Sequence, residues 1–128
     1  MADDESLTRL STIRILKTAA NKHNIEINVM ESYDGLETAF LIYKCFSLGY
    51  DINFIISDEN MNFVNGSKSY DIIEEIFEKN KLINVPFYLI TASNCYYSDF
   101  KLLDKLSGIL NKPLLLDSAE HILLKHMK

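Results

Sequence analysis

Three side chains in this sequence have the chemistry to capture and hold a phosphoryl group: an aspartate, a hydroxyl and a lysine. Asp58 ends the run Ile55-Ile56-Ser57-Asp58, Thr91 ends Leu89-Ile90-Thr91, and Lys112 follows Leu110-Asn111 and precedes Pro113. Each closes an apolar stretch, so the three emerge in chain order from three successive predicted strands. In a parallel sheet the carboxyl ends of the strands form one rim, and ligands bind in the crevice along it. On such a rim the three side chains can converge. The chemistry they suggest is attack by Asp58 on phosphorus, with Thr91 and Lys112 holding the phosphoryl oxygens.

The elements that must position them alternate between helical and strand patterns. Leu7, Leu10, Ile13, Leu16 and Ala20 recur at helical spacing and predict an amphipathic helix over roughly residues 5–22. Ile25 to Met30 reads as a short strand with Ile27 and Val29 on one face. Leu36, Ala39, Phe40 and Tyr43 mark a second helix that stops near Gly49. Ile52 to Ile56 is almost continuously apolar, as expected of a strand covered on both faces. Tyr70, Ile73, Ile76 and Phe77 give a third helix, with Glu74, Glu75 and Glu78 on its wet side. Pro86 introduces a strand over Phe87 to Ile90, and a helix over Tyr96 to Leu106 carries Phe100, Leu103 and Leu106. Gly108-Ile109-Leu110 is a further strand, and Asp117 can cap a last helix with Glu120 three residues on. Alternation of this kind means α/β with a parallel sheet, because each crossover needs a helix to cover a face.

Composition narrows the function classes. The chain has 128 residues, of which 48% are hydrophobic, so residues 1–128 read as a single domain with a real core. A net charge of -5 argues against direct contact with nucleic acid or an anionic membrane. No apolar run approaches the roughly 20 residues that span a bilayer, and Met1-Ala2-Asp3-Asp4-Glu5 has no signal-peptide pattern. Cys45 and Cys95 lack metal-ligand spacing, and a reducing, cytoplasmic compartment suits them. His23, His121 and His126 form no cluster and read as solvated surface residues.

In this arrangement the chain resembles the receiver domains of response regulators in two-component and phosphorelay signalling. That pattern is an acidic pair after strand 1, a phospho-accepting aspartate after strand 3, Ser or Thr after strand 4 and Lys-Pro after strand 5. Here those positions read Asp3-Asp4, Asp58, Thr91 and Lys112-Pro113. The segment Asp58 to Gly66 looks like the family's D-x-x-M-P-x-x-x-G loop. Singly, each motif has a bland reading; the acidic pair, for instance, could simply favour the positive end of a helix dipole. Four in the right order carry the resemblance. It implies a flavodoxin-like doubly wound parallel sheet with strand order 2-1-3-4-5. It also implies Mg²⁺ as cofactor, bound directly by Asp4 with Asp3 assisting, often through water. Asp58 and the backbone carbonyl of Asn60 would supply further oxygens, a set that suits this cation. Pro113 would follow Lys112 in a cis peptide bond.

The departures from the pattern are as informative. Asn62 replaces the usual proline in the loop after Asp58, which should loosen it. The aromatic that commonly sits three residues before the lysine is Ile109, leaving Tyr88 or Tyr96 to take its place by packing. Asn60 and Ser93, two positions beyond Asp58 and Thr91, flank the place where water would attack and are expected to tune phosphoryl lifetime. The largest departure is the first strand, for which only Met1-Ala2 precede the acidic pair. In the order 2-1-3-4-5 that strand is central, and losing it opens a gap that no hydrogen bond can cross. The expectation is a fragment or mis-started product whose first strand lies upstream of Met1. The alternative is that strand 2 slides over to strand 3 and displaces Asp3-Asp4.

Two function classes follow. One is a phospho-accepting receiver, taking its phosphoryl group from a histidine kinase or histidine phosphotransfer protein. It would signal to an unknown effector through the face built from Tyr96 to Leu106 and Asp117 to His126. The other is a pseudo-receiver, a non-phosphorylated interaction module that kept the fold. A haloacid-dehalogenase-like phosphatase would want a second aspartate where this chain has Asn60. Beyond its own phosphoryl transfer and hydrolysis, the chain is not expected to be an enzyme.

Overall fold

Ile55, Ile56, Ser57 and Asp58 are buried without exception, the pattern of a strand covered on both faces, and they form β1 (Ile55–Asp58). The structure is a computed structural model that describes residues 1–82, 84–92 and 100–127. β2 (Phe87–Thr91) is buried throughout, while β3 (Gly108–Asn111) alternates between half-buried and exposed. The three run parallel in the order β1-β2-β3. Asp58 lies opposite Ile90 and Thr91 opposite Asn111, which brings the three carboxyl ends to one rim.

Five helices among the described residues cover this sheet: α1 (Ser6–Lys22), α2 (Gly35–Ser47), α3 (Gly66–Asn80), α4 (Phe100–Lys105) and α5 (Leu116–His126). Alternation along the strands divides the core in two. Ile56, Tyr88 and Ile90 pack with Leu16 and Ala20 of α1 and Ile122 and Leu123 of α5. Ile55, Phe87 and Leu89 face the other way, against Ile42 of α2, Tyr70, Ile73 and Phe77 of α3, and Leu102 of α4. The result is the doubly wound α/β arrangement that the alternating pattern implies.

The first strand survives as a stub. Ala2 is bridged in parallel to Ser32 on one side and Ser57 on the other. Its N–H donates to the Ile56 carbonyl at 2.9 Å, and its carbonyl accepts from Asp58 N–H at 2.8 Å. The spatial order is therefore the 25–32 segment, Ala2, β1, β2, β3, which is the order 2-1-3-4-5 with its first two members reduced to single bridges. The 25–32 segment has not slid over to β1.

Several expectations are corrected. Residues 25–30 alternate in burial as a strand should, but they carry no strand ladder, because the neighbour they would pair with is reduced to Ala2. For the same reason β1 starts at Ile55 rather than Ile52. On α1 the buried stripe is Arg9, Ile13, Leu16 and Ala20, while Leu7 and Leu10 are exposed. On α2 the buried face is Thr38, Ala39, Ile42 and Cys45; Leu36, Phe40 and Tyr43 share the opposite, exposed face. Glu74 is not simply on the wet side of α3, since it accepts from Tyr70 at 3.1 Å and from Lys105 at 2.7 Å. Asp117 lies in the first turn of α5 and does not cap it. Glu120 instead accepts from Lys22 of α1 at 2.8 Å and pairs with His23 at 2.8 Å. His23 is therefore engaged, as is His126, whose Nε2 lies 2.7 Å from the Tyr88 hydroxyl. Of the three histidines only His121 is exposed. Cys95, Tyr96 and the start of the Tyr96–Leu106 helix lie outside the described residues, as do the side chains of Phe100 and Leu103.

Candidate functional site

The site begins with the way each strand ends. β1 terminates at Asp58, and the chain must turn at once to reach α3. Glu59 makes that turn: its N–H donates to the Ile90 carbonyl at 3.2 Å, and its carbonyl accepts from Gly66 N–H at 3.0 Å. The buried Glu59 carboxylate then accepts from both the backbone N–H (3.0 Å) and the hydroxyl (2.9 Å) of Ser67. Asn65 caps the same helix by accepting from Lys68 N–H at 2.9 Å. Gly66 is obligatory here because a Cβ would lie 2.5 Å from the Asp58 carbonyl and 2.6 Å from Leu89 Cδ2. The ends of the loop after Asp58 are thus fastened, and Asn62 and Phe63 stand exposed at its tip.

Asp3 enters from the stub. Its N–H donates to the Ser32 carbonyl at 3.1 Å, and its side chain is wholly buried. One carboxylate oxygen accepts from Glu5 N–H at 2.9 Å, and the other accepts from Lys112 at 2.9 Å. Lys112 also lies 3.1 Å from Asp58 Oδ2, so a single ammonium joins the two carboxylates. Its own placement comes from β3, whose end it follows, and from its N–H, which donates to the Thr91 carbonyl at 2.9 Å. The Lys112-Pro113 peptide bond is cis.

Burial pushes the Asp58 carboxyl above the usual carboxylate range; the Lys112 ammonium and the Asn60 N–H oppose that rise, and the Asp3 charge adds to it. Burial would lower Lys112, but its hydrogen bonds to Asp3 and Asp58 outweigh it and hold the group up as an ammonium. Asp4 is half-buried, and oxygens of Asp3, Asp4 and Asp58 all lie within 4.8 Å of one another. Three carboxylates set against one ammonium leave surplus negative charge at a single point. Hard oxygen donors with that surplus fit a small divalent cation such as Mg²⁺.

The sequence-derived residues fall into three groups. Asp3, Asp4, Asp58 and Lys112 are brought together at the rim, and Asn60 adjoins them through its N–H on the Asp58 carboxylate. Thr91 is buried at the end of β2, one position beyond the residue opposite Asp58. Ile109 stands apart, exposed on β3 opposite Leu89. Tyr88 is no replacement for the aromatic that Ile109 displaces, because it lies on the other face of the sheet, over Gly108 and against His126. Ser93, like Tyr96, lies outside the described residues.

Sequence reasoning missed Arg9 and Glu59. Arg9 is buried; it donates to the Asp3 carbonyl at 2.7 Å and to Glu31 at 2.9 Å, and its guanidinium lies 4.4 Å from the centre of the Tyr33 ring. It holds the backbone of Asp3 and so positions the site. Its signal was its spacing, four residues before Ile13 and seven before Leu16 on one helical face. Glu59 carried no such signal, since an acidic residue after a strand normally points to water.

No family model matches the chain, and no curated protein matches it. Solved structures do. A two-component response regulator from Cytophaga hutchinsonii superposes with a TM-score of 0.80 at 18% identity, over 97% of this chain and 91% of that one. The receiver domain of Ssk1 from Saccharomyces cerevisiae, solved together with the histidine phosphotransfer protein Ypd1, gives 0.71 at 19% identity, over 98% and 85%. A CheY-like receiver domain protein from Methanospirillum hungatei gives 0.62 at 17% identity, over 98% and 87%. The chain has the fold of a response regulator receiver domain. Among the described residues, no helix is long and apolar enough to cross a membrane.

Proposed function

We propose that this chain is a phospho-accepting receiver domain of two-component or phosphorelay signalling, modified on Asp58. The observation that supports this most is the single ammonium of Lys112 held between Asp3 and Asp58, with the oxygens of Asp4 close by. In the reaction an Asp58 oxygen attacks the phosphorus of a phosphohistidine donor, the P–N bond breaks, and the donor imidazole leaves with its electron pair. Lys112 is placed to follow the transferred charge, because its ammonium already touches the accepting oxygen. Thr91, at the neighbouring strand end, offers a hydroxyl to a second phosphoryl oxygen. Asp4 and Asp58, with the Asn60 carbonyl and with Asp3 assisting, would hold Mg²⁺, which supplies positive charge between an anionic nucleophile and an anionic donor. Asn60 and Ser93 tune the lifetime of the modified state.

The donor is a histidine kinase or histidine phosphotransfer protein, as the solved pair of Ssk1 and Ypd1 suggests for this fold. Output passes to an effector through the face that includes α4 and α5, where Ile109, Leu115 and Leu124 are exposed. The acidic chain makes no direct contact with nucleic acid or membrane and works in the cytoplasm.

The second reading, a pseudo-receiver that binds partners without phosphorylation, is favoured by one observation. Among the described residues, Ala2 is the one residue beside the Asp3–Asp4 pair that forms a bridge to the neighbouring strands, and Asp3 adds a single N–H bond to the Ser32 carbonyl. Incubation with acetyl phosphate and Mg²⁺ separates the two. Intact mass should show one phosphoryl adduct, absent without metal and absent in Asp58→Asn. No adduct under any condition selects the second reading.

A further inference from the structure

Helix α2 is apolar on both of its sides. The face turned to the core carries Thr38, Ala39, Ile42 and Cys45, whereas the bulkier Leu36, Phe40 and Tyr43 point outward, 59%, 64% and 46% exposed. A surface helix normally keeps its outer side polar, and one that is apolar all round is normally covered all round. Single exposed apolar side chains mean little, but a stripe of them marks an interaction surface. The stripe here runs two turns, and Leu48, exposed at the C-cap, extends it.

The charges along the stripe say what covers it. Glu37 and Lys44 are the two charged residues of α2, one in its first turn and one in its last. Among the described residues neither forms an ion pair within its own chain. They are seven positions apart, close to two turns, and so lie along one border of the stripe. A two-fold axis that sets two copies of α2 antiparallel keeps this border on one side of the pair. Glu37 of each copy then meets Lys44 of the other. A parallel pair would carry the border to opposite sides and leave all four charges unmatched.

The apolar residues fit the same register. With the two charges level, the roughly 1.5 Å rise per residue sets Tyr43 of one copy between Leu36 and Phe40 of the other. The two Phe40 rings meet beside the axis, where an offset or edge-on contact adds to the area buried. Antiparallel helices also oppose their dipoles, which favours the pairing further. A partner of different sequence would require none of this self-complementarity; a second copy requires all of it.

We propose that the outer face of α2 is a homodimer interface, in which two copies of this chain pair their α2 helices antiparallel through Leu36, Phe40 and Tyr43, with Glu37 of each copy bound to Lys44 of the other. The pairing uses none of the residues assigned to phosphoryl chemistry.

Sedimentation equilibrium of the full chain, from micromolar to millimolar concentration, tests this and should show monomer and dimer in equilibrium. Phe40→Glu should give a monomer with unchanged far-UV circular dichroism, because the position is exposed and glutamate is a good helix former. Glu37→Lys and Lys44→Glu should each weaken the dimer at least about fivefold, since each sets two like-charged pairs face to face. The two variants mixed together should regain the parental affinity, because every facing pair is then again of opposite charge. A monomer throughout the range would overturn the proposal, as would a dimer that survives Phe40→Glu. A mixture that associates no better than its components would overturn the antiparallel pairing.

Discussion

Lys112 reaches back almost the whole length of the chain to Asp3: the two lie 2.9 Å apart although 109 positions separate them. The same ammonium touches Asp58 at 3.1 Å, so a single cation from late in the sequence lies between two carboxylates that the beginning and the middle bring together. All three groups are largely shielded from water, and a lone buried charge is far more costly than a matched one.

Replacing Lys112 by alanine should therefore lower stability at neutral pH by about 3 kcal/mol. The loss should shrink in acid, because Asp58, already raised by burial, takes up a proton and relieves the repulsion with Asp3. Urea unfolding at two pH values measures this. An equal loss at both would show that the ammonium acts by packing alone.

Asp58→Asn should fold at least as well as the parent. A carboxyl whose folded pKa is raised binds its proton more tightly in the folded state, so its charged form opposes folding once pH exceeds the unfolded value. Removing the charge removes that opposition at pH 7, although the amide also forfeits part of the Lys112 contact. A clear fall in the urea midpoint would contradict the assignment of burial as the dominant influence on Asp58.

Arg9→Ala should destabilise the chain by about 2 kcal/mol and broaden or shift the amide resonances of Ala2 and Asp3. The guanidinium bonds the Asp3 carbonyl and Glu31 together while lying against Tyr33. Arg9→Lys should rescue little, since a compact ammonium cannot reproduce the fork and the stacking at once. Full rescue by lysine would mean that only the charge matters.

How much of this was legible in the sequence depended on whether a signal was local. Asp58, Thr91 and Lys112 could be placed because each ends an apolar strand, and strand ends of a parallel sheet share a rim. The grouping of Asp3 and Asp4 with them came only from the family resemblance, since a dipole at α1 explains an acidic pair equally well. The faces of the helices were less legible. Leu36, Phe40 and Tyr43 form as good an apolar stripe as Ala39 and Ile42, and hydropathy cannot say that the former looks outward. The strand over 25–30 showed its alternation but not its lack of partners, which depends on what lies beside it. Arg9 was hidden because a buried arginine is rare, and only tertiary partners from Asp3, Glu31 and Tyr33 make it tolerable.

His126 supplies a dependence on pH. Burial holds its pKa below the ordinary 6.5, with the neighbouring Lys125 and His121 charges acting in the same direction. The neutral ring pairs with the Tyr88 hydroxyl, beside Phe54. Between the folded and unfolded values the unfolded chain binds the extra proton, so stability is whole above 6.5 and declines as pH falls through the folded value. Unfolding midpoints measured from pH 7.5 down to 5 should fall in the parent and fall less in His126→Gln. Parallel curves would place the sensitivity elsewhere.

A working receiver must carry its phosphoryl group on Asp58 and nowhere else. The most direct measurement is to phosphorylate the chain with acetyl phosphate and Mg²⁺, trap the acyl phosphate by borohydride reduction, and map the product by peptide mass spectrometry. Phosphoryl transfer to Asp58 predicts a single reduced residue, homoserine at position 58, lost when Lys112 is replaced or the metal is chelated. A modified residue at Asp3 or Asp4 instead, or none in any form of the chain, would contradict it.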